Sequence, residues 1–227
     1  MRCRILQIGL VLLVGIFAGE VWLAARTSSV TPDRSLPDLL DSVENKYNRL
    51  RTVRLRFVQL YRQDQQTLRK EEGTLYIRKP GQMRWEYEAP EPKLFLTDGK
   101  QLVLYVPSEN RATQMAVKDS ADIRTPLRFL LGNLRFGEEF SKIEDTSAFP
   151  PLEAGNRVLR AYPKRLEERL EWVIFEVTAE DQIRRVILSE PGGTQTEFRF
   201  DDEQSNLTLS PQLFRFQPPA GTEIVQE

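Results

Sequence analysis

The chain contains no histidine and a single cysteine among its 227 residues. Without histidine it cannot form a Ser-His-Asp or Cys-His nucleophile pair, an imidazole general base or a His-ligated zinc site. Cys3 lies before the first apolar run, which argues against a disulfide, a thiolate metal site and a cysteine nucleophile. The sequence therefore predicts no catalytic residues, no metal and no cofactor.

An excess of charge of one sign is also lacking, because 32 Lys and Arg stand against 33 Asp and Glu. The net charge of -1 gives no reason to expect a polyanionic partner such as nucleic acid. With 40% hydrophobic and 29% charged residues, the composition is that of a globular protein and not of a disordered one. The length suits one domain of generous size, or two.

The first 25 residues have the pattern of a targeting segment. Arg2 and Arg4 precede an apolar stretch over residues 5–17, and the small residues Ala24 and Ala25 end the segment. This order is typical of a secretory signal peptide that is cleaved after its small residues. The pattern therefore predicts that the chain is exported.

Three segments follow from this interpretation: a signal peptide over residues 1–25, a flexible tail over 26–34 and a single domain over 35–227. An uncleaved membrane anchor is the alternative, since apolar residues continue beyond Glu20. A lipoprotein signal is disfavoured because Cys3 lies at the wrong end of the apolar stretch. The exported domain has no cysteine, so its stability must come from core packing.

The domain begins with the pattern of one helix and continues with the patterns of many strands. From Ser35 to Leu50 apolar residues recur at intervals of three and four, which predicts an amphipathic helix. A second, short helix is predicted over 122–132, between strands that must pair antiparallel because their connections are short. The predicted strands, with an apolar period of two, are 53–57, 73–79, 82–88, 93–97, 101–106, 111–117, 157–162, 171–178, 183–189, 194–200 and 214–217.

The predicted strands differ in the composition of their two faces. Met83, Trp85 and Tyr87 alternate with charged residues, as expected for a strand with one wet face. The runs at 102–106 and 172–175 are apolar on both faces and must be buried on both. Either the sheet curls into a barrel with a packed interior, or one face lines an apolar cavity. Periodicity alone favours the packed interior.

Four segments in a fixed order are similar to those of a known family. Residues 76–90, with the sequence YIRKPGQMRWEYEAP, resemble the signature of the periplasmic outer-membrane lipoprotein carrier family, LolA. Residues 93–107 resemble the next hairpin of that family, 125–132 its lid helix and 214–222 its last strand and tail. The resemblance extends from residue 36 to residue 225 and so covers the predicted domain.

The resemblance implies a mainly β fold with α-helices (α+β), a half-open antiparallel barrel of about ten or eleven strands that covers a hydrophobic cavity under a helical lid. It implies a periplasmic carrier, not an enzyme, that binds the acyl chains of lipoproteins released from the inner membrane and delivers them to the outer membrane. The implied partners are lipidated proteins, an ATP-driven lipoprotein-releasing transporter of the inner membrane and an acceptor lipoprotein of the outer membrane. The carrier itself is expected to be a monomer.

The matching positions also imply a set of site residues. The residues expected to bind lipid are Leu55, Phe57, Leu75, Ile77, Met83, Trp85, Tyr87, Leu94, Leu96 and Leu104. The residues expected to form the lid and its latch are Lys79, Leu127, Leu130 and Leu131. Family members have an arginine where this chain has Lys79, and because an ammonium group is a mobile point charge we expect a latch that is weaker or differently arranged. A solvated charge at a strand end is the alternative for Lys79, and core packing is the alternative for Met83 and Trp85.

Other classes of protein fit less of the sequence. A paired-carboxylate enzyme is disfavoured because strand carboxylates such as Glu86 and Glu88 alternate away from the apolar face. An exported regulator with the same sheet carries a second domain that this length does not hold, and the acceptor lipoprotein is disfavoured by the position of Cys3. An exported carrier or sensor of other lipids or glycolipids stays open, because an apolar cavity does not identify its cargo.

Overall fold

The structure, a computed structural model, describes residues 34–64, 66–117, 134–164 and 169–227. The predicted signal peptide and the predicted helix over 122–132 lie outside the described residues. In the described part, no helix is both long enough and apolar enough to cross a membrane.

Helix α1 covers Leu36–Arg49, where the apolar period predicts it. Ser35 caps its N-terminus, because the Ser35 hydroxyl oxygen accepts a hydrogen bond from the backbone N–H of Asp38 at 3.3 Å. The helix turns its apolar stripe toward the sheet, and its buried residues are Leu39, Val43 and Tyr47. A second helix, α2, is a single turn at Phe136–Glu139.

The described strands form one sheet of twelve. Their bounds are β1 Thr52–Gln63, β2 Gln66–Arg78, β3 Gln82–Ala89, β4 Lys93–Thr97, β5 Gln101–Val106, β6 Arg111–Ala116, β7 Phe140–Asp145, β8 Arg157–Pro163, β9 Trp172–Val177, β10 Ile183–Ser189, β11 Thr194–Ser205 and β12 Glu223–Gln226. Their order across the sheet is β12-β6-β5-β4-β3-β2-β1-β11-β10-β9-β8-β7. Neighbouring strands are antiparallel except for β12, which runs parallel to β6. The mainly β, open antiparallel architecture is confirmed, with twelve strands and not ten or eleven.

The strand predicted at 214–217 is wrong. Pro211–Phe214 forms a 3₁₀ turn, and the chain joins the sheet again only at β12. The alternation of Phe214 and Phe216 suggested a strand, but these rings have different environments. Phe214 is completely buried, whereas the half-buried Phe216 packs on Tyr105 with 5.4 Å between ring centroids. The segment therefore packs on the sheet instead of extending it.

One face of the sheet packs on α1 and is called the inner face here. Buried side chains from α1, from β1–β3 and from β8–β11 form one cluster on this side. The members contributed by the five central strands are Val53, Leu55, Phe57, Leu75, Ile77, Met83, Trp85, Ile183, Val186, Leu188, Phe198 and Phe200. Burial of this cluster supplies the main apolar stabilisation of the fold.

The opposite, outer face is covered in part by a C-terminal strap, residues 206–222. The strap crosses β3, since the Arg84 Nη1 donates a hydrogen bond to the carbonyl of Leu213 at 3.2 Å. It also reaches β5, where Phe216 packs on Tyr105. Because the strap covers the outer side of β5, this strand can be apolar on both faces.

A second segment, the 146–156 loop, covers the outer face of β8–β10. Phe149 of this loop packs on Trp172 with 5.4 Å between ring centroids. Beneath the loop Arg185 and Glu176 form an ion pair at 2.7 Å, with side chains that are 6% and 0% exposed. Each partner also bonds to the loop, because Arg185 donates to a loop carbonyl and Glu176 accepts from a loop N–H, both at 2.7 Å. The loop therefore accounts for the two-sided apolar pattern of β9.

Candidate lipid-binding face

The pairing of β1, β2 and β3 brings most of the predicted lipid-binding residues together. Leu55 lies opposite Leu75, and Leu75 lies opposite Trp85 on the next strand. Residues two positions apart on a strand share a face, so the set extends in both directions along the three strands. The predicted residues that these three strands place on the inner face are Leu55, Phe57, Leu75, Ile77, Met83, Trp85 and Tyr87. Their proximity is an observation, and their binding of lipid stays a prediction.

Phe57 contacts the aromatic residues of β3 on the inner face through ring edges. The Phe57 ring lies 5.1 Å from the Trp85 ring and 5.0 Å from the Tyr87 ring, at interplanar angles of 84° and 78°. The Trp85 Nε1 is buried and has no hydrogen-bond partner among the described residues. A buried N–H without an acceptor is energetically unfavourable. The Trp85 N–H is therefore available to donate a hydrogen bond to a carbonyl oxygen that enters this side of the sheet.

The structure does not bring Leu94 and Leu96 to this face. Across β3 and β4, Leu94 lies opposite Glu86 and Leu96 lies opposite Arg84, so both leucines are on the outer face. Phe95 lies opposite Trp85 and takes the inner position, where it packs against the cluster. Because all three residues of this run are apolar, only the register of the hairpin distinguishes inner from outer.

Leu104 lies on the inner face at the border of the packed region. It is opposite Phe95 on the neighbouring strand, and 37% of its surface is exposed. The other two predicted leucines on this face, Leu55 and Leu75, are 2% and 0% exposed. The exposed part of Leu104 is therefore apolar surface of the inner face that lies outside the closed cluster.

At its far end the inner face becomes polar while staying largely buried. The Tyr87 hydroxyl donates to the Gln59 Oε1 at 2.9 Å, and the Gln59 Nε2 donates to the Tyr61 hydroxyl at 2.6 Å. Next to them the Lys93 ammonium bonds to the buried Glu71 Oε1 at 2.6 Å. Burial raises the pKa of Tyr87, with further contributions from Tyr61 and Glu71, so its hydroxyl stays protonated. This polar group was not predicted, although Gln59 and Tyr61 continue the period of two beyond Phe57 on the inner face of β1.

Lys79, the expected latch residue, bonds to α1. Its Nζ donates a hydrogen bond to the backbone carbonyl of Tyr47 at 2.8 Å, in the last turn of the helix. The same carbonyl also accepts a hydrogen bond from the backbone N–H of Leu50 at 3.3 Å, and a cation at this end of the helix interacts favourably with the helix dipole. Burial lowers the pKa of Lys79. Leu127, Leu130 and Leu131 lie outside the described residues, so a contact between Lys79 and a lid stays a prediction.

The described residues of the inner face offer a binding surface. Within these ranges no group of three or more His, Cys, Asp or Glu side chains could hold a metal ion. The inner face offers hydrocarbon and aromatic rings, one unpaired indole donor and a polar end. Such a surface can take up an apolar chain and hydrogen-bond to a polar group attached to it.

Comparison with known proteins agrees with the geometry. A family model described as outer membrane lipoprotein carrier protein LolA matches residues 48–217. A protein of Nitrosospira multiformis named outer-membrane lipoprotein carrier protein is 29% identical over 191 residues, which cover 83% of this chain and 88% of the relative. A protein of the same name from Methylococcus capsulatus is 27% identical over 207 residues, which cover 91% and 93% of the two chains.

Among solved structures, an uncharacterized conserved protein from Thermus thermophilus is similar in fold. The TM-score is 0.54 at 12% identity, and the match covers 86% of this chain and 100% of the other. At that identity the similarity shows the fold alone. The matched family region includes all strands from β1 to β11 and therefore the whole inner face. The chain belongs to the outer membrane lipoprotein carrier protein (LolA) family.

Proposed function

We propose that this chain is an exported carrier that binds the acyl chains of lipoproteins released from the inner membrane and delivers these lipoproteins to the outer membrane. The observation that supports this most directly is the inner face, where seven predicted lipid-binding residues of β1–β3 share one surface. Membership of the carrier family supports the same function.

The energetics of such a carrier depend on exchanging one apolar contact for another. Each CH₂ group of an acyl chain that leaves water contributes about 0.8 kcal/mol. The inner-face side chains are packed against one another and against α1, so an entering chain replaces contacts that already exist. Met83 is 2% exposed and has a flexible side chain that adapts to irregular neighbours. Partial cancellation of these terms keeps binding reversible, as delivery requires.

The proposed path has a donor and an acceptor. The donor is an ATP-driven transporter of the inner membrane, and the acceptor is a lipoprotein of the outer membrane. The carrier acts as a monomer in the periplasm after removal of residues 1–25. Native mass spectrometry of protein purified from an exporting host tests the nature of the cargo. Bound acylated peptide would support the lipoprotein path, whereas bound phospholipid or glycolipid alone would favour a carrier of other lipids.

Leu104 allows the inner face to be tested without disturbing the closed cluster. Because its side chain is 37% exposed, the carboxylate in Leu104→Glu can reach water, and the fold is expected to be retained. The new charge lies where an acyl chain would pass, so we expect at least about tenfold weaker binding of an N-palmitoylated lipopeptide. Displacement of a fluorescent acyl probe measures this affinity.

The matched control is Leu152→Glu. Leu152 is 39% exposed and belongs to the 146–156 loop on the outer face. This variant adds the same charge to a leucine of similar exposure, so we expect lipopeptide binding within about twofold of the unchanged protein. Equal binding by both variants would contradict the assignment of the inner face.

Lys79 is proposed to set the rate of cargo release. The variant Lys79→Leu removes the hydrogen bond to the Tyr47 carbonyl and any contact with a lid. We expect a changed rate of transfer of lipopeptide from the carrier to liposomes, with little change in the unfolding midpoint. An unchanged transfer rate would exclude a latch function for Lys79.

A further inference from the structure

A basic groove lies where α1 ends, β1 begins and β2 ends. Its volume is about 720 Å³. Its lining residues are Arg49, Arg51, Thr52, Arg78, Lys79, Asn206, Leu207, Thr208 and Leu209. Four of these side chains are cationic and none is acidic. The groove is therefore locally positive, although the net charge of the whole chain is -1.

The cations of the groove lack the ion-pair partners that many other basic side chains have. Arg56 pairs with Glu88 at 2.6 Å, for example, and numerous other Arg and Lys residues are paired in the same way. Within the ranges that the structure describes, Arg49, Arg51 and Arg78 take part in no ion pair. Three guanidinium groups at one groove without a carboxylate repel one another. An anion placed among them removes this repulsion.

The strongest indication of a ligand is the guanidinium of Arg78. Its Nη1 is buried and has no hydrogen-bond partner within the described chain. A buried charged donor without an acceptor costs more than a neutral one. The neighbouring Lys79 is held differently, because its ammonium already donates to the Tyr47 carbonyl. The groove therefore lacks an acceptor for the Arg78 guanidinium, which an anionic ligand would supply.

We propose that this groove binds a phosphate group, such as the one in the headgroup of an anionic phospholipid. Guanidinium groups match the oxygen geometry of phosphate and form paired, charge-assisted hydrogen bonds with it. None of the residues that line the groove belongs to the inner-face cluster, although some of them are sequence neighbours of cluster residues. Phosphate binding here is therefore a property separate from the binding of acyl chains, and it does not depend on the proposed function.

The test compares two variants with the same change in net charge. The groove variant carries Arg49→Gln, Arg51→Gln and Arg78→Gln. The control variant carries Lys100→Gln, Arg111→Gln and Arg215→Gln, three exposed cations outside the groove. Binding to vesicles of phosphatidylglycerol and phosphatidylcholine is measured by co-sedimentation. We expect the groove variant to lose about fivefold in affinity per cation, roughly 100-fold together, and the control variant to lose less than about threefold.

Soluble phosphates distinguish a lipid headgroup from a free phosphate. Glycerol 3-phosphate and inorganic phosphate are titrated into the unchanged protein, with the side-chain N–H resonances of arginine as the readout. Binding of the soluble ions without binding to vesicles supports phosphate chemistry and identifies a free phosphate as the ligand. Binding to vesicles that glycerol 3-phosphate displaces identifies the headgroup. Equal losses in the two triple variants, or no binding of any of the three probes, would overturn the proposal.

Loss of folding is controlled separately. Both triple variants are compared with the unchanged protein by their unfolding midpoints in urea. Where the groove variant does not fold, Arg78→Gln alone replaces it, with Lys100→Gln as its control. The single variant is expected to lose about fivefold in affinity, and an unchanged affinity in a folded Arg78→Gln protein contradicts the proposal.

Discussion

The inner and outer faces of the sheet are both rich in apolar residues, but they are covered in different ways. The inner face is covered by α1, which immediately precedes β1 in the chain. The outer face is covered by the C-terminal strap and the 146–156 loop, which are irregular segments. The inner contact is mainly hydrocarbon and aromatic. The outer contact includes the buried pair of Arg185 and Glu176, with hydrogen bonds to the loop backbone.

This difference indicates which face of the sheet can exchange its present contacts for contacts with a ligand. Apolar contacts are non-directional, so an acyl chain can replace a side chain at little net cost. A buried charge pair is directional, and separating its partners leaves an uncompensated charge in the interior. We therefore expect the outer face to stay closed while the inner face changes its contacts. Three substitutions test this contrast.

The largest effect is expected from Glu176→Ala on the outer face. It leaves Arg185 buried without its partner and removes the acceptor for the loop N–H, so the free energy of unfolding should fall by about 4 kcal/mol. Urea unfolding measures the loss. The control is Glu88→Ala, which breaks the exposed pair with Arg56 and should cost less than about 1 kcal/mol. Similar losses in the two variants would show that the buried pair does not hold the loop.

A somewhat smaller effect is expected from Phe214→Ala in the C-terminal strap. Phe214 is completely buried, and removal of its ring should lower the free energy of unfolding by about 3 kcal/mol. Phe216→Ala removes a half-buried ring of the same strap and should cost about half as much. Affinity for an acyl probe should be the same in both folded variants, because the strap lies on the outer face. A tenfold change in that affinity would show that the two faces are not independent.

The smallest effect concerns the polar anchor at the edge of the inner cover. Burial raises the pKa of Asp181, but hydrogen bonds from Arg34 and from Ser42 on α1 lower it by a larger amount. The pKa of Asp181 is therefore below its ordinary value. The contribution to stability is therefore present above the unfolded-state pKa of about 4 and is lost as the pH falls through the lower folded-state pKa. We expect Asp181→Asn to be about 1 kcal/mol less stable at pH 7, and the difference to vanish near pH 2.

Asn is a suitable replacement because Asp181 has a φ of 64°, which asparagine tolerates. The control is Asp202→Asn, at a residue with a φ of 53° and a side chain that is 58% exposed. Its contact with Arg54 is long, at 3.6 Å, so we expect no measurable change in stability at either pH. A loss of stability in Asp181→Asn that is the same at pH 7 and at pH 2 would exclude the carboxylate as its cause.

Elements with an uninterrupted period were predictable from sequence. Helix α1 and strand β3 coincide with their predicted ranges to within a few residues. Strand β7 was missed, because the register shift between Phe140 and Lys142 interrupts the alternation on which the prediction depends. Strand β12 has four residues at an edge of the sheet and presents no apolar alternation long enough to detect.

The candidate site was predictable only in part. Leu55, Phe57 and Trp85 follow strict alternation, so their shared face could be inferred. Leu94 and Leu96 could not be assigned, because an all-apolar run carries no information about which side faces inward. The burial of Glu71 could not be predicted, since only the folded sheet places Lys93 beside it.

The pairing of β1 with β11 has a consequence for how the protein forms. These two strands meet in the middle of the sheet, and Val53 lies opposite Ser205. A chain emerging from the ribosome therefore makes β1 long before its partner on one side exists. Loop closure over such a separation is slow, and contacts this distant in sequence delay folding. Synthesis through β11 must be complete before the hydrogen bonds between β1 and β11 can form, so the sheet cannot close across its middle until that strand has been made.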